Sequence, residues 1–454
     1  MSEKKINRIM IAGTGSGCGK TTITCAILKA LVNRGLSVSS FKCGPDYIDP
    51  MFHSKIIMGK SRNLDMFLCG EETTKYLLAK NCENTDFSII EGVMGFYDGL
   101  SINDVEYSSC DISNKTDTPV VLVVNSEGLY FSLVAMIKGY LDFYENKIVA
   151  VILNNTSKEM YPLYKDSIEK HLNIKVLGFM PRLKNAVLES RHLGLITVSE
   201  VELLDEKLEE LGKAAEENID LDQMIAFAQT ALPLSYHEVN IKREEEVRVA
   251  IAMDNAFCFY YEDSLELLRQ MGAVLIPFSP LENDTLPEDI NGLILGGGYP
   301  ELYAEKLSEN TSMLTCIKKF FESGLPTYAE CGGFMYLGKT ISVNDKSYPM
   351  VGAIETNTNL TNKLQNFGYI HLMAKEDNVF CKKDIGINAH EFHYSQSDNN
   401  GDSFEAIKSS GKGWSVGFSS QSTFAGYPHL HLWGNVDFAR NFLRRCQEYS
   451  HETE

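Results

Sequence analysis

With 454 residues, 44% apolar and 23% charged, the chain is too long for one ordinary core and has the balance of a globular protein of about two or three domains. A formal net charge of −19 argues against nucleic acid as a partner, because binding a phosphate backbone needs a basic face, and any polyanionic substrate must enter a local cationic pocket. Eleven cysteines without a CxxC pair fit reduced cytoplasmic thiols; Met1–Lys5 offers no secretory h-region, and the most apolar run, Val120–Val124, is too short to cross a bilayer.

The first predicted element is an apolar strand, Arg8–Ala12, and it runs into Gly13-Thr14-Gly15-Ser16-Gly17-Cys18-Gly19-Lys20-Thr21-Thr22. From Ile23 to Leu31 the apolar residues keep helical spacing. Strand, glycine loop and helix in that order form a phosphate cradle, since loop N–H groups and the helix N-terminus both present positive ends to an anion. All ten residues of this stretch are candidate ATP contacts, with Lys20 reaching the terminal phosphates and the Thr21 hydroxyl on Mg²⁺. The loop is one residue longer than the strict GxxxxGK[ST] spacing.

Further strands are expected at Ser37–Lys42, Phe87–Glu91, Val120–Val124, Ile148–Leu153 and Val176–Phe179, with helices at Leu129–Tyr144, Tyr161–Leu172 and Lys207–Asn218. This alternation predicts a parallel sheet covered on both faces. After the second strand comes Lys42-Cys43-Gly44-Pro45-Asp46-Tyr47-Ile48-Asp49-Pro50, at the edge where such sheets bind ligands. Asp46 and Asp49 suit Mg²⁺ or the positioning of a substrate beside the γ-phosphate, with a surface turn as the plain alternative. Lys42 is a further counter-charge for phosphate, and Tyr47 a substrate contact. Glu91 ends its strand as a metal-ordering carboxylate would, and glycines flank it and Asp98, so the backbone there can approach a ligand. Asn154 and Asn155 can either read an adenine edge or cap the fifth strand. Arg182, Lys184, Arg191 and His192 form a compact cationic group suited to a carboxylate substrate.

A linker is expected over 233–246, and a second α/β unit from Val247 to the end. Its strands are Val247–Ala252, Val274–Pro277 and Gly292–Leu295, its helices Leu265–Met271 and Ser308–Ser323. The last hundred residues, richer in Gly, Asn and aromatics, read as strands joined by loops. Ala329-Glu330-Cys331-Gly332-Gly333 between a strand and a helix is a nucleophile elbow, where small neighbours permit a strained turn that exposes the thiol. A helix starting at Gly332 is expected to lower the thiol pKa. N–H groups of Gly297, Gly298 and Gly332 are candidates for an oxyanion hole. The base is either His429 or His431. His390, His393 and Tyr394 form a polar aromatic cluster that either touches substrate or is a hydrogen-bonded core.

Taken together, Phe41–Pro50, Glu91–Gly99, Arg191–Leu195, Gly296–Glu301, Ala329–Gly333 and His390–Ser395 resemble the cobyrinate a,c-diamide synthases, ATP-dependent glutamine amidotransferases of cobalamin biosynthesis. The resemblance implies a P-loop, dethiobiotin-synthetase-like parallel-sheet domain at 1–232 and a class I glutamine amidotransferase-like α/β domain at 247–454. It implies that Cys331 hydrolyses glutamine and that the ammonia amidates a carboxylate activated by ATP and Mg²⁺ as an acyl phosphate. Cobyrinate is the expected substrate and a nickel-sirohydrochlorin the alternative; from another class, the chain reads as an ATP-dependent switch with an inactive glutaminase. Gly15 stands where the partitioning ATPases carry a signature lysine, which disfavours that branch. Gly426 and Leu432-Trp433 depart from the family pattern around the histidines. His429, after Tyr427-Pro428, matches the single histidine of related amidotransferases, and His431 stays its alternative. Expected partners are small molecules only, with a homodimer compatible with the chain.

Overall fold

A computed structural model describes residues 1–183, 186, 190–191, 194–195 and 201–453. It divides into two compact units, Met1–Met66 with Gly70–Val239, and Phe67–Cys69 with Asn240–Glu454. Each has its own apolar core.

The first unit is built on seven parallel strands: β1 (Arg8–Gly13), β2 (Val38–Cys43), β3 (Arg62–Leu64), β4 (Phe87–Glu91), β5 (Val120–Asn125), β6 (Ile148–Asn154) and β7 (Lys175–Met180). Their order is β3-β2-β4-β1-β5-β6-β7. β1, β2 and β4 are buried along their whole length, as a sheet covered on both faces requires. β1 has β4 on one side and β5 on the other, so the chain leaves the sheet centre in both directions. That is where a doubly wound sheet opens a crevice beyond its strand ends. Helix α1 (Lys20–Asn33) follows β1 directly, and α2 (Ile48–Ile57) follows β2.

Leu234–Tyr236, within the expected linker, is a strand pairing antiparallel with Ser2–Lys4, and Leu234 is buried. The first unit therefore closes on its own N-terminus.

In the second unit β8 (Val247–Ala252), β9 (Ala273–Phe278), β10 (Gly292–Leu295), β11 (Thr327–Glu330), β12 (Phe418–Ser419) and β13 (Thr423–Gly426) form one sheet. The order is β9-β8-β10-β11-β13-β12, parallel except for β12. Helix α3 (Gly332–Leu337) starts one residue after β11. A second, seven-stranded sheet includes Asn357–Ala374, Gly386–Ser397 and the two-residue strand His429–Leu430.

Two details differ from expectation. Ser308–Ser323 is two helices, Ala304–Glu309 and Thr311–Glu322, separated at Asn310, whose side chain accepts from the Met313 N–H at 3.2 Å and so starts the second. The chain's last stretch is not all strand and loop: Val436–Thr453 is a helix that buries Phe438, Phe442, Cys446 and Tyr449.

Candidate active site

Thr14 to Cys18 form the turn between β1 and α1, with Gly13 closing the strand, Gly19 capping the helix, and Lys20, Thr21 and Thr22 in its first turn. Gly19 has φ +98°, and a β-carbon there would lie 2.0 Å from the Asn154 amide nitrogen. No other residue fits. A β-carbon at Gly15 or Gly17 would instead meet no atom within 4 Å, so the loop has open space above it. The Lys20 ammonium donates to the carbonyls of Gly15 at 3.0 Å and Met94 at 2.5 Å, bending over the loop. Asn154 donates to the Cys18 carbonyl at 2.8 Å. Its amide braces the phosphate loop, and that N–H is engaged there.

Beside the loop lies a charged network. The Thr21 hydroxyl donates to Glu91 Oε1 at 2.6 Å and lies 3.2 Å from Asp49 Oδ2. Lys42 Nζ is 2.6 Å from Asp49 Oδ2 and 2.9 Å from Glu91 Oε1. His53 Nε2 is 2.8 Å from Glu91 Oε2, and its Nδ1 is 3.0 Å from the Ser40 hydroxyl. All four charged or titratable partners are buried. Burial alone would raise the Glu91 pKa, but Lys42 and His53 outweigh it and hold the carboxylate well below its ordinary range. Asp49 goes the other way, up to about 8, through burial and the neighbouring Asp46 carboxylate, with Lys42 opposing. The side chain that meets Thr21 is thus Asp49 and not the expected Asp46. Asp46 Oδ1 accepts from the N–H groups of Ile48 at 2.7 Å and Asp49 at 3.3 Å, which makes it the start of α2.

Thr21 and the two carboxylates are hard oxygen donors of the kind Mg²⁺ takes. Among the described residues no group of three or more His, Cys, Asp or Glu forms a self-contained metal cage.

In the second unit β11 ends at Glu330 and the chain turns sharply at Cys331, which has φ 44° and ψ −99°. A non-glycine residue there is strained and is held by its neighbours. The Cys331 N–H donates to the Gly426 carbonyl of β13 at 2.7 Å, and Gly333 N–H to the Gly296 carbonyl at 2.9 Å. A β-carbon at Gly333 would fall 2.1 Å from the Leu295 carbonyl, so only glycine lets α3 approach β10 so closely. A β-carbon at Gly332 would be 3.1 Å from the Gly298 nitrogen, and one at Gly297 would be 2.6 Å from the His429 ring. The three expected oxyanion glycines, the thiol's own turn and one of the two histidines are therefore neighbours. Contrary to expectation, the thiol is pushed up: burial dominates, the Glu301, Glu330 and Glu391 carboxylates add to it, and the Gly332 N–H opposes without reversing it.

His429 and His431 sit differently. The His429 ring stacks on His390 with centroids 4.9 Å apart, and its Nδ1 is 3.5 Å from Glu330 Oε2. His431 is buried against the Tyr261 ring, and burial pushes its pKa down to about 3.

Two domain families match this chain: the CobQ/CobB/MinD/ParA nucleotide binding domain over residues 9–195, and the CobB/CobQ-like glutamine amidotransferase domain over residues 248–436. A cobyrinate a,c-diamide synthase of Caldanaerobacter subterraneus subsp. tengcongensis is 43% identical over 447 residues, covering 97% of this chain and 98% of its own. The chain belongs to the cobyrinate a,c-diamide synthase family. Relatives of the same name in Clostridium tetani, 41% identical over 96% of this chain and 99% of theirs, and in Thermoplasma volcanium, 40% identical over 99% of each, agree. Membership settles the fold class: a P-loop nucleotide-binding unit with a parallel sheet, followed by a glutamine amidotransferase α/β unit.

Other expected contacts divide. His390 lies 2.7 Å from the Tyr261 hydroxyl and against His429, within the thiol site. His393 is stacked on Tyr427 at 3.7 Å, with Nδ1 2.8 Å from the Ser395 carbonyl and Nε2 3.2 Å from Glu391. Both its nitrogens are engaged, as in a hydrogen-bonded core. Tyr394 is half-buried on the alternate face of the same strand. Asp98 Oδ2 accepts from the Gly95 N–H at 2.8 Å and holds the turn after β4, while Tyr47 is buried at the start of α2. Arg182 is exposed and paired with Glu127 at 2.8 Å. Arg191 lies in a two-residue strand paired with Gly194–Leu195, and Lys184 and His192 lie outside the described residues.

Sequence reasoning missed His53, Tyr261 and Glu330. His53 stands four residues after Asp49 on α2, a one-face spacing that could have revealed it. Glu330 is a carboxylate ending a buried strand beside the nucleophile, and Tyr261 has no sequence signal that separates it from its neighbour Tyr260.

Proposed function

We propose that this chain is a ligase that amidates the a and c carboxylates of cobyrinate with ammonia from glutamine, driven by ATP and Mg²⁺. Its carrying observation is that a strained Cys331 elbow and a Lys20–Thr21 phosphate loop stand in one chain that relatives of this name match over 97% of its length. Bound Mg²⁺ would be held by Thr21 and Glu91 and would supply charge neutralisation at the phosphates.

In the first unit, Lys20 and the loop N–H groups, with Ser16 and Gly17 at their exposed tip, bind and orient the phosphates. Lys42 and Asp49 position the reacting carboxylate. Its oxygen attacks the γ-phosphorus and ADP leaves, which converts an unreactive anion into an acyl phosphate. In the second unit, the Cys331 sulfur gives its proton to His429 and attacks the glutamine amide carbon. N–H groups of Gly298 and Gly332 take the developing oxyanion, and ammonia leaves with the proton from His429. Water then releases glutamate from the thioester. Ammonia attacks the acyl phosphate carbon, inorganic phosphate leaves, and the amide remains. His429 is the base rather than His431, because it packs on Gly297 while His431 is a weak base walled off by Tyr261.

The test is to weigh the products after incubating the purified chain with Mg²⁺-ATP, glutamine and either cobyrinate or nickel-sirohydrochlorin. Conversion of cobyrinate to its diamide is expected; amidation of the nickel compound alone, or of neither, overturns the reading.

A further inference from the structure

A histidine that takes a proton from a thiol works best when a carboxylate fixes its tautomer and stabilises the cation that forms. Between His429 and Asp437 the chain supplies no carboxylate: Leu430, His431, Leu432, Trp433, Gly434, Asn435 and Val436 are all without one. The acid must come from elsewhere in the fold.

One stands at the end of β11. Glu330 is 7% exposed. Its Oε1 accepts from the Leu430 N–H at 2.8 Å and from the Tyr328 hydroxyl, so two donors fix the carboxylate plane. Its Oε2 then lies 3.5 Å from His429 Nδ1. β13 runs parallel to β11 with Gly426 opposite Glu330, and the chain reaches His429 three residues later, so the register itself brings the histidine over the carboxylate. From the other side, His429 is held by its antiparallel pairing with His390 and the stack between their rings. Groups that face His429 include Glu330 from β11, His390 from its partner strand and the backbone at Gly297; His390 is itself bonded to the Tyr261 hydroxyl.

Resting on the reading of Cys331 and His429 as nucleophile and base, we propose that Glu330, the residue immediately before the nucleophile, is the positioning carboxylate of His429. It orients the imidazole with Nδ1–H toward itself and leaves Nε2 to exchange the proton of the thiol and of the departing ammonia. No substrate atom touches it.

Glu330→Gln tests this with minimal change of shape. Its amide oxygen still accepts from Leu430 and Tyr328, while its NH₂ faces His429 Nδ1, where a donor opposes a donor and the wrong tautomer is favoured. Glutamine hydrolysis should fall roughly a thousandfold in kcat with KM little changed. The acidic limb of kcat/KM should move about one pH unit lower, since the imidazolium loses its counter-charge. Glu330→Asp should restore part of kcat and of the limb, and Tyr328→Phe, which removes one bond to the far oxygen, should change neither by more than a few-fold. Thermal midpoints of all three variants report whether the fold persists. Glutaminase in Glu330→Gln within twofold of the unaltered chain, or a loss with no shift of the limb and no rescue by aspartate, overturns the proposal. Cys331→Ala and His429→Ala run alongside: if either keeps full glutaminase activity, the underlying nucleophile and base assignment fails instead.

Discussion

The two sites occupy equivalent places, each at the carboxyl end of a central parallel strand that turns into a helix, yet they are built from opposite materials. Around Thr21 polar and charged groups meet one another: Lys42 lies between Asp49 and Glu91, and His53 against Glu91. Around Cys331 rings pack on the two histidines, His390 on His429 and Tyr261 on His431, the Glu301, Glu330 and Glu391 carboxylates act on the thiol, and the thiol is pushed up rather than ionised. A phosphoryl-transfer site must hold charge already balanced, so that anionic ligands exchange partners without reorganising the protein. A thioester site gains from dryness, which keeps the sulfur protonated until substrate and base are both in place. The contrast predicts that the two sites fail separately.

The largest separation is expected from Cys331→Ser. Glutamine-dependent synthesis should fall on the order of 10⁴-fold or more, while synthesis from added ammonium persists. Normal use of glutamine by this variant would make Cys331 a structural residue. Lys20→Ala should reduce turnover on the order of a thousandfold with glutamine and with ammonium alike, because it removes charge that grows in the transition state. Unchanged turnover at saturating ATP would remove the assignment of the loop.

Within the charged network, finer differences follow from geometry. Asp49→Asn should lower turnover on the order of a hundredfold with nucleotide affinity retained, whereas Asp46→Asn, which still starts α2, should cost only a few-fold. Glu91→Gln should weaken Mg²⁺-ATP binding itself. Equal loss of nucleotide binding in all three would merge them into one metal site. His53→Ala should raise the Mg²⁺ concentration for half-maximal rate by about tenfold, as loss of a residue that orients a ligand does, read by titrating Mg²⁺ at fixed ATP.

A further effect concerns stability and belongs to the second unit. Burial holds His431 near a pKa of about 3 against an ordinary 6.5, so the folded chain keeps it neutral while the unfolded chain takes up a proton. Its stabilising contribution is complete above pH 6.5 and declines as pH falls toward about 3, by about 1.4 kcal/mol per pH unit. His390 is shifted in the same direction by burial and the adjacent His429. In His431→Gln the thermal midpoint should fall less steeply on acidification than in the unaltered chain; an identical slope would contradict the assigned shift.

Local patterns were legible where one stretch carries both the fold and the chemistry. Phe87–Glu91, Val247–Ala252 and Gly292–Leu295 have the expected bounds, and the strand, glycine loop and helix at the N-terminus follow from composition and period alone. Partners contributed by distant segments were not legible. That Asp49 rather than Asp46 meets Thr21 depends on how α2 docks, and that Glu330 lies under His429 depends on the register of β11 with β13. The bounds of the long strand Asn357–Ala374, within a stretch read only as strands joined by loops, were not legible because its register shifts break the alternation by which strands are read. The last helix was legible in principle: Phe438, Phe442, Cys446 and Tyr449 are spaced three and four apart, but charged residues dilute the signal.

The division of labour itself is tested most directly by one doubly labelled reaction. Cobyrinate carrying ¹⁸O in its carboxylates is turned over with Mg²⁺-ATP and glutamine labelled with ¹⁵N in its amide, in the presence of unlabelled ammonium below its own saturating level. Activation in the first unit and nitrogen release in the second predict ¹⁸O in the inorganic phosphate and ¹⁵N in the new amides. Phosphate without ¹⁸O, or amides carrying only unlabelled nitrogen, would contradict the account.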